Sequence, residues 1–332
     1  MPIAEVKNLS IEFKVDGKWL PAVNDVSFSI DSGEILALVG ESGCGKSVTC
    51  MSLARLLPEP PARYTSGEII LKGKNVLNLK KRALRDLRRH DISYIFQEPS
   101  VSLNPVFKVG DQIAEAIYLR NDSNKTDVKA EVIDLLTQVG IPAPEERVNA
   151  YPHELSGGMQ QRIMIAMALA GKPDILVADE PTTALDVTIQ AQIIDLLCEL
   201  RKKRNMAIIL VTHNLGIVAE MADRVVVMYA GHTAESAKTD ELITNPYHPY
   251  TKSLLSAVPK LGHSNERLTT IPGTVPSPAN FPKGCRFYGR CDLANKIKKE
   301  NNEELLCENS VPDWKQMENK EKGHFCRCHY SQ

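Results

Sequence analysis

The period of the hydrophobic pattern changes several times along the chain, and the changes divide it. From residue 3 to 40 short apolar runs alternate with polar positions and with Gly and Asp turns, at Asp16-Gly17 and at Asp31-Ser32-Gly33, which is the pattern of β-strands. Residues 34–39 read as a buried strand and 47–57 as a helix. A further strand over 92–96 ends in Gln97-Glu98-Pro99. From about 109 to 140 the spacing is helical with no strand signal, which predicts an inserted helical segment. Strand and helix then alternate again: a strand ending at Asp179, a helix over 190–203, and strands over 207–212 and 224–229. That order predicts an α/β fold. After about Asn245 prolines recur and five of the eight cysteines follow, at 285, 291, 307, 326 and 328, so a small Cys-rich C-terminal extension is expected.

Composition narrows the function classes. A chain of 332 residues has room for one to three domains, and its make-up is that of a soluble globular protein. Lys plus Arg number 40 against 41 Asp plus Glu, a formal charge of -1, so no global basic field asks for nucleic acid. The basic runs Lys80-Lys81-Arg82 with Arg85, Arg88 and Arg89, and Arg201-Lys202-Lys203-Arg204, lie in amphipathic helical patterns and read as solvated faces. The first seven residues contain no apolar export segment, and the longest apolar stretch, 163–170, is far short of the ~18 residues needed to cross a bilayer. Membrane association is therefore expected only through a partner. Cysteines in a chain kept inside the cell read as metal ligands or reactive thiols before disulfides.

The candidate chemistry starts at Gly40-Glu41-Ser42-Gly43-Cys44-Gly45-Lys46-Ser47, which fits G-x-x-x-x-G-K-S. Glycines let backbone N–H groups wrap phosphates, Lys46 reaches the β and γ phosphates, and Ser47 ligates magnesium. The contacts to the nucleotide expected here are Gly40, Ser42, Gly43, Cys44, Gly45, Lys46, Ser47 and Val48, at the positive end of the helix that follows. Cys44, near that helix start, is expected to have a lowered thiol pKa, so that its alkylation blocks nucleotide binding and magnesium-ATP added first protects it. Leu155-Ser156-Gly157-Gly158-Met159-Gln160-Gln161-Arg162 opens a second helix, over 159–170, and offers a second anion site through Ser156, Gly157, Gly158 and Gln160. Asp179 ends an apolar strand, where a carboxylate can hold a magnesium shell. Glu180 is placed to polarise the attacking water. Gln97 can ligate magnesium or that water, and His213 can hydrogen-bond a γ phosphate. Phe13 is the candidate to stack on adenine, with Trp19 its rival.

Taken together these motifs resemble the nucleotide-binding subunits of ABC importers over the whole length of the chain. The resemblance implies that 40–47 is the Walker A loop, Gln97 the Q-loop, 155–161 the signature, 175–179 the Walker B strand, Glu180 the catalytic base, Ala184-Leu185-Asp186 the D-loop and His213 the switch histidine. It implies an ABC-type nucleotide-binding domain over 1–250, with a RecA-like core, an N-terminal antiparallel β subdomain and a helical subdomain at about 98–170. A narrower resemblance, to the oligopeptide, dipeptide and nickel importer ATPases, rests on tracts that ATP chemistry does not require. These are Gln97-Glu98-Pro99 with Ser102-Leu103-Asn104-Pro105, Asn245-Pro246-Tyr247-His248-Pro249-Tyr250-Thr251 with Leu254-Leu255, and Ile271-Pro272-Gly273-Thr274-Val275-Pro276 leading to Gly284-Cys285-Arg286-Phe287 and Arg290-Cys291. The nearest match is the dipeptide-type subunit, with residues 251–332 as its C-terminal extension.

What this resemblance implies is an ATPase that powers peptide import, working head to tail with a second, related ATPase chain as a heterodimer. Two permease subunits, and through them an extracytoplasmic peptide-binding protein, are the implied partners, with no nucleic acid. The implied place is peripheral, at the cytoplasmic face of the inner membrane. A nickel or other solute importer and a soluble ABC ATPase acting on nucleic acid or translation are the alternatives. The intact Lys46, Asp179, Glu180 and His213 speak against an inactive scaffold.

In the tail, Cys285, Cys291, Cys307 and then Cys326 or Cys328 supply four thiolates, a donor set for an iron-sulfur cluster or zinc. Paired C-x-x-C knuckles are absent, and the spacing resembles the dipeptide-type tail associated with a [4Fe-4S] cluster. The same resemblance selects Cys328, because Arg327-Cys328-His329 matches the family's closing tract. The spacer between Cys291 and Cys307 is lysine-rich and longer than the family's. The role expected is structural, tying together an extension too small for its own core. The bland alternative is four buried small apolar side chains.

Overall fold

The computed structural model describes residues 1–120, 128–183, 185–257, 271–301, 305–317 and 323–331. The chain gathers into two compact units, one of residues 1, 31–34 and 78–211 and the other of residues 2–30, 35–77 and 212–332.

In the first unit three parallel strands, Ile92–Ile95, Ile175–Asp179 and Ala207–Thr212, run side by side in that order. Their register sets Ile92 opposite Ile175 and Asp179 opposite Val211. The middle strand is buried up to its last residue, as a continuous apolar run covered on both faces must be, and Asp179 emerges only at its end. The helical segment expected over 109–140 consists of two helices, Val109–Leu119 and Val128–Gln138, with residues 121–127 outside the described part. Arg120, 6 % exposed, clasps Glu131 at 2.9 and 3.1 Å and the carbonyl of Ala170 at 2.8 Å, which fastens the second of these helices to the end of Gly157–Ala170. That arginine holds the Glu131 carboxyl below its ordinary range, against a smaller opposing effect of burial. Helix Val187–Arg204 starts three residues before the expected 190, because Asp186 Oδ1 caps it by accepting from the Ile189 N–H at 2.9 Å. The basic run at its end is only partly a solvated face: Arg201 donates to the carbonyl of Gly33, and Arg204 to Leu169 and Gln138.

The second unit holds two sheets. One is antiparallel, in the order Lys18–Ile30, Ala4–Val15, Ala62–Leu71 and Lys74–Asn75. Its first hairpin turns at Asp16 and Gly17, which have φ of 49° and 80°, the pair of left-handed residues that an Asp-Gly hairpin turn uses. In the other, Ile35–Val39 lies parallel to Arg224–Tyr229, followed antiparallel by His232–Lys238, Phe325–Cys326 and Lys315–Gln316. The chain's last segment thus extends the sheet that contains the strand before the phosphate loop. Tyr229, Tyr250 and Phe287 meet in one aromatic cluster, with ring centroids 4.6, 5.1 and 5.3 Å apart, and Val39, Val227, Cys291 and Cys307 belong to the same buried core. The helix expected over 47–57 is Lys46–Ser52, because the chain turns away at Arg55, φ 50°.

Candidate nucleotide site

The loop at 40–47 sits between the buried strand Ile35–Val39 and the helix Lys46–Ser52. Two of its glycines, Gly40 and Gly45, are required by close approach. A Cβ on Gly40 would lie 2.2 Å from the carbonyl oxygen of Met228 and 2.8 Å from Cys44 Sγ, and one on Gly45, φ 100°, would lie 2.9 Å from the carbonyl oxygen of Ala22. Lys46 is buried, and its ammonium donates to the carbonyls of Gly40 at 2.8 Å and Glu41 at 3.0 Å. The cation is thereby fixed within the loop. Ser42, Gly43 and Ser47 are exposed and Val48 half-buried, and the first-turn N–H groups of a helix have no partner within it. An exposed hydroxyl, a held cation and free helical amides are what a magnesium-bound polyphosphate requires.

Cys44 differs from its expectation. The side chain is wholly buried, and burial pushes its thiol pKa up, with Lys46 nearby opposing this only in part. The helix start that was expected to activate the thiol is outweighed by its packing under the loop, so Cys44 is a core residue of the loop rather than a reactive group.

In the other unit Glu180 follows the end of strand Ile175–Asp179. Its backbone takes a left-handed φ of 47°, uncommon for a residue with a Cβ, and its N–H is tied to the carbonyl of Val211 at 2.9 Å. One carboxylate oxygen, Oε2, accepts from Gln97 Nε2 at 3.2 Å and from Thr183 Oγ at 2.9 Å. Gln97 and Glu180, predicted separately, are thus brought together. Thr183 was missed by the sequence reading. Its only signal is its place three residues after Glu180, where the turn returns its hydroxyl to the carboxylate. A carboxylate oriented by two donors has the fixed geometry that a general base needs.

Ser156 caps helix Gly157–Ala170 by accepting from the Met159 N–H at 3.4 Å. Ser156 and Gly157 are exposed, whereas a Cβ on Gly158 would meet Ile189 at 2.9 Å. Gln160 differs in kind, since its amide donates to the carbonyls of Pro152 and Leu155 at 2.8 and 3.2 Å and so holds the shape of the preceding turn. His213 is exposed directly after strand Ala207–Thr212, and Ala184 lies outside the described residues. Phe13 and Trp19 are both half-buried. The guanidinium of Arg63 stands 4.0 Å from the centre of the Trp19 ring and occupies one face of it.

Residues 23–183 match the family described as ABC transporter, and residues 234–297 match the one described as oligopeptide/dipeptide transporter, C-terminal region. The oligopeptide transport ATP-binding protein OppD of Bacillus subtilis is 50 % identical over 296 residues, covering 89 % of this chain and 83 % of that protein. The chain belongs to the oligopeptide/dipeptide family of ABC transporter ATP-binding proteins. The dipeptide transport ATP-binding protein DppD of Bacillus subtilis is similar to the same degree, 50 % identical over 289 residues, covering 87 % of this chain and 86 % of that protein. Among solved structures, a dimeric ATP-binding cassette bound to ADP and Pi superposes with a TM-score of 0.64 at 26 % identity, covering 71 % of this chain and 98 % of that one. The fold is the ABC nucleotide-binding fold, and the protein is an ATP-hydrolysing enzyme.

The cysteine tail of this ABC ATPase brings its four expected residues to one place but not into a formed metal centre. Cys285, Cys291, Cys307 and Cys328 line a single pocket, walled also by Phe287, Ala294 and Tyr330. Among the described residues, however, no three His, Cys, Asp or Glu side chains stand as a group that could hold a metal ion. In this arrangement the thiols are held by packing and by one another. The Cys307 thiol donates to Cys285, which holds Cys285 below the ordinary thiol range and pushes Cys307 above it. Burial pushes Cys291 up to about 11 and also raises Cys328. Cys326 is fully buried in the strand Phe325–Cys326, opposite Glu235, and does not line this pocket; burial raises its thiol strongly.

Proposed function

We propose that this chain is the ATP-hydrolysing subunit that powers import of di- or oligopeptides across the cytoplasmic membrane. The observation that carries the reading is that one chain joins an ABC transporter region to an oligopeptide/dipeptide transporter C-terminal region, and that relatives named for peptide transport match it over nearly nine-tenths of its length. Lys46 and the loop amides bind the phosphates, Ser47 and Asp179 hold the magnesium shell with Gln97, and Glu180 polarises the attacking water. Ser156, Gly157 and Gly158 present an anion site to the nucleotide of a partner ATPase, supported by the exposure of the first two. Phe13 is the adenine platform, since Arg63 already covers one face of Trp19.

The partner ATPase is a second, related chain in a head-to-tail heterodimer, seated on two permease subunits and served by an extracytoplasmic peptide-binding protein. Among the described residues no helix is long and apolar enough to cross a membrane, and Val101, Val106, Phe107 and Tyr118 are exposed in the region after Gln97. Exposed apolar side chains in that region fit a permease contact and a peripheral position at the cytoplasmic face of the membrane. ATP closes the pair, and its greater affinity for the closed state supplies the work. On this reading the chain comprises an ATPase domain over 1–250, with its helical subdomain at about 98–170 and an antiparallel β subdomain, and an extension over 251–332. In that extension Cys285, Cys291, Cys307 and Cys328 would hold a [4Fe-4S] cluster, or zinc as the alternative, which would supply a cross-link for the tail. Their convergence on one pocket supports this. Purification from membranes tests the assignment: a second ATPase and two permeases should accompany the chain, and a homodimer bound to nucleic acid would overturn it.

A further inference from the structure

Glu41 is the first residue after the glycine that opens the phosphate loop, and two groups from far along the chain hold it. Its N–H donates to the Tyr250 hydroxyl at 2.9 Å. Its carboxylate receives both arms of Arg290, Nη1 to Oε2 at 2.9 Å and Nη2 to Oε1 at 3.1 Å. Arg290 is itself fixed, with Nε donating to the carbonyl of Pro272 at 2.7 Å and Nη1 to the Tyr229 hydroxyl at 3.2 Å. Arg290 is 9 % exposed and Glu41 27 %. A planar fork on a carboxylate in so shielded a place is both oriented and strongly charge-compensated. The Glu41 carbonyl accepts from Lys46, so the residue gripped by the tail also touches the lysine that meets the phosphates.

A loop built to bind a polyanion carries here a carboxylate at its second position. Left uncompensated, that charge repels the triphosphate and competes for Lys46. We propose that Arg290 is a positioning residue of the ATP site, a tail-borne arginine that neutralises and fixes the Glu41 carboxylate so that the phosphate loop binds ATP tightly. The C-terminal segment is then a condition for nucleotide binding. This inference rests on the binding of ATP, and neither on the peptide assignment nor on a metal in the tail.

The test is ATP binding to the full-length chain, followed by a fluorescent ATP analogue, with thermal unfolding as a check on folding. Arg290→Gln should weaken binding about tenfold, equivalent to about 1.4 kcal/mol. The loss should shrink at high salt and be absent for adenosine, which carries no phosphate. Adding Glu41→Gln should restore the affinity to within about threefold of the parent, because it removes the charge that Arg290 compensates. Arg290→Lys, which keeps the charge without the fork, should lose less, and it serves in the same cycle with Glu41→Gln if Arg290→Gln does not fold. Unchanged binding by Arg290→Gln, or a double variant as weak as the single, would overturn the inference. A wild-type chain that bound no ATP would instead overturn the nucleotide assignment.

Discussion

Glu235 lies in the strand His232–Lys238 with no exposed surface, and it joins three stretches of chain. Its carboxylate accepts from the N–H groups of Tyr247 at 2.7 Å and His248 at 3.0 Å, and from His324 Nε2 at 2.7 Å. Burial alone would push its carboxyl up, but the hydrogen bonds from His324 and the two backbone amides more than offset this and hold it below its ordinary range. Glu235→Ala leaves these donors buried without an acceptor at ~1–3 kcal/mol each, and with partial relaxation the local loss should be ~3–5 kcal/mol. Since the chain has two units, local opening is a better measure than one global transition. Hydrogen exchange should show protection of Tyr247, His248 and the strand Phe325–Cys326 falling by roughly 100-fold or more, with strand Ile175–Asp179 unaffected. The pH dependence has a definite sign: a carboxyl lowered in the folded state stabilises above the ordinary carboxylate range and loses that contribution as pH falls through the depressed value. Unchanged protection in Glu235→Ala at neutral pH would refute the reasoning.

Other outcomes follow from particular contacts. Arg120→Ala should destabilise the segment around Val128–Gln138 by ~2 kcal/mol, seen as faster limited proteolysis there, because it takes the donor from the Ala170 carbonyl and leaves Glu131 with Lys172 in place of the arginine fork. In the wild type the Glu131 contribution should likewise fade as pH drops below the ordinary carboxylate range, since Arg120 lowers that carboxyl. Cys44 should resist alkylation in the folded protein with or without ATP and react only on unfolding, and mass spectrometry showing rapid labelling without nucleotide would contradict its burial. Anaerobically purified protein should be brown and carry iron and sulfide that Cys285→Ser removes; colourless protein with stoichiometric zinc would select the alternative metal, and metal-free protein with an intact tail would favour simple packing.

Much of the fold was legible because its central strands are continuous apolar runs that end at motif residues. Ile175–Asp179, Ala207–Thr212 and Arg224–Tyr229 lie where the pattern places them. Local motifs likewise marked Lys46, Gln97 and Glu180. What could not be read depends on partners remote in sequence. The strands Lys315–Gln316 and Phe325–Cys326 have two residues each, too few to show a period. The strand His232–Lys238 carries Glu235 in its buried interior, which looks wrong until His324 and the amides after Asn245 are brought to it. Glu41 and Arg290 are 249 positions apart, and nothing at either end announces the other. Cys44 sits beside a helix start, yet its burial under the loop, not its neighbours in sequence, sets its chemistry.

Peptide uptake into membrane vesicles carrying the complete transporter tests the central claim most directly, with wild-type chain compared against Glu180→Gln. Wild type should accumulate labelled peptide only with magnesium-ATP and release phosphate in step, and Glu180→Gln should bind ATP yet lower both rates by at least ~100-fold, the scale of losing a general base. Uptake that proceeds without ATP, or that Glu180→Gln leaves unchanged, would contradict the account.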